Sequence, residues 1–144
     1  MKALIFLTLL SFSNFSLHAA ESISGHWVGY FSYVGSNRAE SYSVVFKQSG
    51  NSLSGTILEI NKAGGSKAVA LTSNLTGFVS GNSVLFTKQY DGSGGQTHQV
   101  TYELTLLSSS KLVGIWKING RKGGNTGLAP ISTTSLRNAL ETND

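Results

Sequence analysis

Tyr42-Ser43-Val44-Val45-Phe46-Lys47-Gln48-Ser49-Gly50-Asn51-Ser52-Leu53-Ser54-Gly55-Thr56-Ile57 decides how this chain is read. Tyr42, Val44 and Phe46 alternate with Ser43, Val45 and Lys47, the period-two pattern of a half-buried strand. Ser49-Gly50-Asn51-Ser52 is a tight hairpin signal. The strand beyond it, Leu53 to Ile60, turns Leu53, Gly55 and Ile57 inward and carries Glu59 at the end of the same face. Two strands and their turn are therefore legible in a single stretch.

Both of its parts recur along the chain. Ser80-Gly81-Asn82-Ser83 closely echoes the turn. Leu53-Ser54-Gly55-Thr56-Ile57 has counterparts in Ile23-Ser24-Gly25-His26-Trp27, Leu75-Thr76-Gly77-Phe78-Val79 and Leu112-Val113-Gly114-Ile115-Trp116. Each reads aliphatic, small or β-branched, Gly, variable, large apolar. Gly inside a strand marks a bend or the close approach of another group. The four glycines are separated by 30, 22 and 37 residues, too unequal for a solenoid. They fit several strands of one curved sheet.

Reading outward, the first strand runs from His26 to about Val34, with Trp27, Gly29, Phe31 and Tyr33 on one face. A fourth covers Val69 to Ser80, and a fifth places Val84, Phe86, Lys88 and Tyr90 on a common face. The sixth, Gln99 to Leu107, alternates Val100, Tyr102, Leu104 and Leu106 with Thr101, Glu103 and Thr105. The seventh, Lys111 to Asn119, turns Leu112, Gly114, Trp116 and Ile118 inward. Gly120 to Gly127 reads as a basic Gly-rich turn, and Leu128 to Ser132 as a short eighth strand holding Pro130, the only proline. Residues 61–67 and 91–97 read as the other Gly-rich loops. Short strands joined by turn signals predict an all-β fold, an antiparallel eight-stranded up-and-down β-barrel, with an open sandwich as the alternative.

The ends of the chain are different objects. Lys2, the apolar run from Ala3 to Leu10 and the exit Leu17-His18-Ala19-Ala20 read as a secretory signal peptide over residues 1–20. Cleavage after Ala19 or Ala20 is expected, giving a secreted or periplasmic protein with no stable membrane anchor; retention of the segment is the alternative. A single domain is expected over 21–132, with a loose tail over 133–144. The chain has no Cys, so its stability rests on packing and strand pairing. Without Lys2, ten of the eleven Lys and Arg remain against seven Asp and Glu, a net charge of +3. Charge this sparse lacks the basic face of a nucleic-acid binder, and no nucleic-acid partner is expected.

At Gly25-x-Trp27 the chain resembles the calycin superfamily, which includes the lipocalins and the avidins. Leu53-Ser54-Gly55-Thr56 after a Gly-Asn turn resembles the third strand of the avidin and streptavidin pattern, and Leu75-Thr76-Gly77 its fourth. Trp116, followed by a hairpin and a short last strand, also fits in order, so the resemblance covers roughly residues 23 to 132 as spacing and architecture. It implies a small exported barrel. It does not carry biotin binding, because Gly29, Ile57 and Phe86 stand where that site uses a polar residue, a Tyr and a Trp. A short Ser-Gly-x-Trp opening also resembles one family of exported bacterial protease inhibitors, whose disulfide this chain lacks.

No catalytic residue is assigned. His26 and His98 lack the spacing and company of a metal site. The acids Glu40, Glu59, Asp91 and Glu103 show no spacing that would place two in one cleft, and there is no Gly-x-Ser-x-Gly elbow. Neither an enzyme activity nor a cofactor or metal is therefore expected. Trp27, Phe31, Phe86, Tyr102 and Trp116 are expected to fill the barrel core. The competing reading of the same parity is an apolar pocket at an open mouth, with Tyr33, Glu59, Lys88 and Tyr90 as its ligand-binding residues. An inward Lys88 must reach solvent, a carboxylate or an anionic ligand, and Glu59 is its most natural partner. Asn119-Gly120-Arg121-Lys122-Gly123-Gly124 reads as a solvated hairpin tip rather than a phosphate loop, for it lacks the P-loop context. The function expected is a non-catalytic barrel binding a small apolar or amphipathic ligand. The alternatives are a module that binds an exported hydrolase or other protein through the Gly-rich loops at 61–67, 91–97 and 120–127, and a structural or envelope-associated domain.

Overall fold

The computed structural model describes residues 22–61 and 68–132. The signal peptide expected over 1–20, the tail over 133–144 and all of the 61–67 loop except Asn61 lie outside the described residues. Eight strands follow one another: β1 Gly25–Ser32, β2 Ala39–Ser49, β3 Ser52–Asn61, β4 Val69–Ser80, β5 Ser83–Tyr90, β6 Gln99–Ser108, β7 Lys111–Ile118 and β8 Arg121–Pro130. Every strand pairs antiparallel with its sequence neighbours, and β1 pairs with β8 to close the barrel. Closure leaves no unpaired edge, which is how an all-β chain without disulfides avoids strand addition.

The two ends differ. Gly50-Asn51 joins β2 to β3 and Gly81-Asn82 joins β4 to β5, each a two-residue turn with positive φ at its glycine. Gly at the first central position is the demand of a II′ turn, which matches the twist of the strands it joins. At the same end Ile23 is buried beneath the barrel; its carbonyl accepts the Trp27 indole N–H at 2.9 Å and its N–H donates to Gln48 at 3.0 Å. This end is closed. The longer connections 33–38 and 91–98 lie at the other end, with the one two-residue turn there, Asn119-Gly120, having positive φ at both positions as a I′ turn requires.

Three of the four Gly-centred copies share one cause. A Cβ on Gly55, Gly77 or Gly114 would collide with a carbonyl of the adjacent strand, Val45, Leu85 or Glu103 respectively. The strands press together there, and only glycine fits. Gly25 differs, having open space about it.

The eighth strand corrects the sequence reading. Residues 121–127 are not a Gly-rich turn but most of a ten-residue strand, and only Asn119-Gly120 turns the chain. The glycines have a packing role instead: a side chain on Gly123 would occupy the space of the Trp116 indole, and one on Gly124 would collide first with the Ser32 carbonyl of β1 and then with that indole. Thr126, unnoticed in the sequence, faces inward and shares a 2.6 Å hydrogen bond with the Tyr42 hydroxyl.

The interior is filled from the closed end upward by a run of rings. Trp27 meets Phe46 edge-on, Phe46 meets Phe86, and Phe86 stacks on Tyr102 with centroids 4.6 Å apart. Tyr102 lies against Tyr42, and Tyr42 against Phe31 at the mouth. Val44, Ile57, Leu75, Val79, Val84 and Leu112 pack around them, all buried. Trp27, Phe86, Tyr102 and Trp116 are buried as expected of core residues, whereas Phe31 is half-buried, because it stands at the rim.

Candidate functional site

Above Tyr102 the packing opens into a cavity of about 250 Å³ at the long-loop end. Tyr33, Glu59, Lys88 and Tyr90 all line it, so the four residues singled out from parity are brought together. Lys88 enters from β5 opposite Leu75, and Glu59 from β3 opposite Leu71. Across the intervening β4, the Lys88 ammonium donates to Glu59 Oε1 at 2.5 Å and to the Tyr90 hydroxyl at 2.8 Å. That hydroxyl donates in turn to Glu59 Oε2 at 2.6 Å. The three polar heads form a closed triangle, and Lys88 is only 2% exposed and Glu59 6%. The ammonium also lies 4.1 Å from the centre of the Tyr90 ring.

Burial sets the protonation of this floor. Loss of water pulls the Lys88 pKa below its ordinary value, while Glu59 acts in the opposite sense. Tyr90 is held far above the usual phenol range, first by burial and then by its hydrogen bond to Glu59. Tyr42 and Tyr102 are likewise raised, chiefly by burial, so the phenols lining and underlying the cavity stay neutral. Among the described residues Tyr102 makes no hydrogen bond through its hydroxyl, which borders the cavity.

The wall is aromatic. Phe31, Tyr33 and Trp116 meet edge to face in all three pairings, with centroids 5.4 to 6.1 Å apart. Trp116 is held by an indole N–H donated to the Ser32 carbonyl at 3.0 Å and by its place over Gly123 and Gly124. The β7–β8 register shifts between Trp116 and Lys117, a bulge of the kind that re-aims a side chain at a barrel rim. His98 rests against the Tyr90 ring at 4.7 Å.

Glu40 corrects a second expectation, that no two acids share a cleft. It pairs with Phe31 across the β1–β2 ladder, hence shares its inward face, and it lines the same cavity as Glu59. A signal for it existed: Glu40 stands two residues before Tyr42 and has the parity of Tyr42, Val44 and Phe46.

The 91–97 connection is tied down by Asp91. Its carboxylate accepts hydrogen bonds from the Thr72 hydroxyl and the Ser93 backbone N–H, and Ser93 Oγ accepts from the Thr72 N–H at 2.7 Å. These bonds, led by that from Thr72, lower the Asp91 pKa to about 2. Because the folded value lies below the unfolded value of about 3.9, this carboxylate stabilises the fold above that pH, and the contribution disappears as pH falls through about 2. A carboxyl-carbon NMR titration should place the Asp91 midpoint near 2; a midpoint close to 4 would show that these bonds are not held in solution.

No protein-family model matches the chain, and no curated protein matches it in sequence. Among solved structures, one described as a redesigned beta barrel is similar over 76% of this chain and 92% of its own, with a TM-score of 0.60 and 14% identity. At that identity the likeness concerns the fold: a closed, eight-stranded, antiparallel up-and-down barrel.

Proposed function

We propose that this chain is an exported, non-catalytic binding barrel of calycin-like type, whose mouth holds a small apolar or amphipathic ligand. The observation that carries the reading is the cavity itself: about 250 Å³, open at one end, walled by aromatic rings and floored by a self-satisfied polar triangle. Apolar walls with a few placed polar groups are the usual composition of a small-molecule site, and the volume of about 250 Å³ falls just below the usual range of roughly 300–1,000 Å³. The ligand is therefore ring-sized. Biotin is disfavoured on the same grounds as before, now with packing behind them: Ile57 and Phe86 belong to the filled part of the barrel, and Gly29 has the Gly127 carbonyl and Leu128 where a side chain would stand. The alternative of a protein-binding rim has less support, since one of the three loops it relied on is strand β8.

Native mass spectrometry of protein purified from its own host reports small ligands, protein partners and oligomer state in one measurement. The expected result is a monomer or small oligomer carrying added mass of roughly 100–250 Da, the size of a molecule such a cup accommodates. A spectrum of bare protein, together with co-purification of an exported hydrolase, would replace this reading with the inhibitor one. Trp116 supplies a second readout, because its indole lines the cavity while Trp27 is sealed at the closed end. Occupation of the cup should change the emission of wild type and leave that of Trp116→Phe unchanged.

A further inference from the structure

Lys88 raises the prospect of an anionic ligand, but its charge is already met. The ammonium has a carboxylate at 2.5 Å and a hydroxyl at 2.8 Å, and an entering anion would have to compete with Glu59 for it. Both Glu59 oxygens are engaged as well. The pair is thus neutral overall, and among the described residues lining the cavity Glu40 is the other carboxylate. Among the described residues Glu40 forms no ion pair. It faces inward beside Phe31, at the edge of the Phe31–Tyr33–Trp116 wall. Its field reaches the site: Glu40 adds to the upward shift that burial imposes on Tyr33, with Arg38, outside the cavity, acting in the opposite sense. An unpaired carboxylate beside several aromatic rings is the combination that favours a cation, since ring faces attract positive charge and a carboxylate adds a Coulombic partner.

Resting on the cup being a ligand site, we infer that its ligand carries a compact cationic group, an alkylammonium or amidinium, on a body no larger than one ring. Glu40 and the aromatic wall hold the cation, and the Lys88–Glu59–Tyr90 floor limits how deep the ligand enters. Calorimetric titration of the mature chain at low ionic strength with benzyltrimethylammonium, benzyl alcohol and benzoate separates the possibilities, because the three share a ring and differ in charge. Benzyltrimethylammonium should bind about tenfold tighter than benzyl alcohol, with benzoate weakest. Glu40→Gln should remove most of that advantage, and Glu40→Asp should retain it. If benzoate binds as well as the cation, or if Glu40→Gln leaves the preference intact, the inference is wrong while the cup remains a ligand site. If none of the three binds, the cup reading and the inference fall together.

Discussion

Lys88→Met should lower the unfolding free energy by about 3–5 kcal/mol, the cost of stranding a buried carboxylate without its cation. Glu59 is buried and takes hydrogen bonds only from Lys88 and Tyr90 among the described side chains. With the ammonium gone, Glu59 must either remain charged in a dry site or take up a proton. Glu59→Leu/Lys88→Met removes both charges and should return to within about 1 kcal/mol of wild type, since replacing a buried pair by apolar groups is often neutral or stabilising. The Tyr90 hydroxyl then turns to water in the cup. Denaturant melts of the two singles and the double form a mutant cycle. Additive losses in that cycle would mean that the triangle is not a coupled unit, and a single-variant loss below about 1 kcal/mol would mean the pair is solvated.

Gly114→Ala is the second large effect. Its new methyl would meet the Glu103 carbonyl and the Leu104 Cα of β6, and neither is the free end of a flexible side chain. Relief requires the β6–β7 ladder to open, so the loss should reach about 3 kcal/mol, the upper part of the range for overpacking. Gly127→Ala is the internal control. A Cβ there meets nothing closer than 3.6 Å and its φ is not positive, so the variant should be neutral or gain a few tenths of a kcal/mol from a stiffer unfolded chain. Both glycines lie in strands, and only Gly114 has a neighbouring carbonyl pressed against it. Equal stabilities for the two variants would refute the packing account of the Gly-centred copies.

The legible and illegible parts of this chain divide on physical lines. Alternation is local, so strand parity could be read, and it placed Glu59 and Lys88 on the interior before any distance was known. The Gly-Asn turns were equally plain because one residue type answers one dihedral demand. Strand β8 was misread because Gly123, Gly124 and Gly127 carry the composition of a loop, while the first answers to the Trp116 indole of β7 and the second to the Ser32 carbonyl of β1. Glu40 was passed over for a different reason. Its parity with Tyr42, Val44 and Phe46 is legible, but it stands beside the Arg38-Ala39 end of a loop, where only the ladder to Phe31 shows that the strand has already begun. The first miss is a contact between strands, which no window along the sequence contains; the second is a strand boundary, the least local feature of an alternating run.

The unlike ends of the barrel set unlike rules for how this protein can diverge. At the closed end, two-residue turns and the Ile23–Trp27 plug admit almost no change in length. At the mouth, a loop that doubles in length costs only about 0.6 kcal/mol in closure entropy, and the residues of 33–38 and 91–98 bear little of the core. New rim sequences are therefore open to descendants of this chain, with the barrel beneath inherited intact.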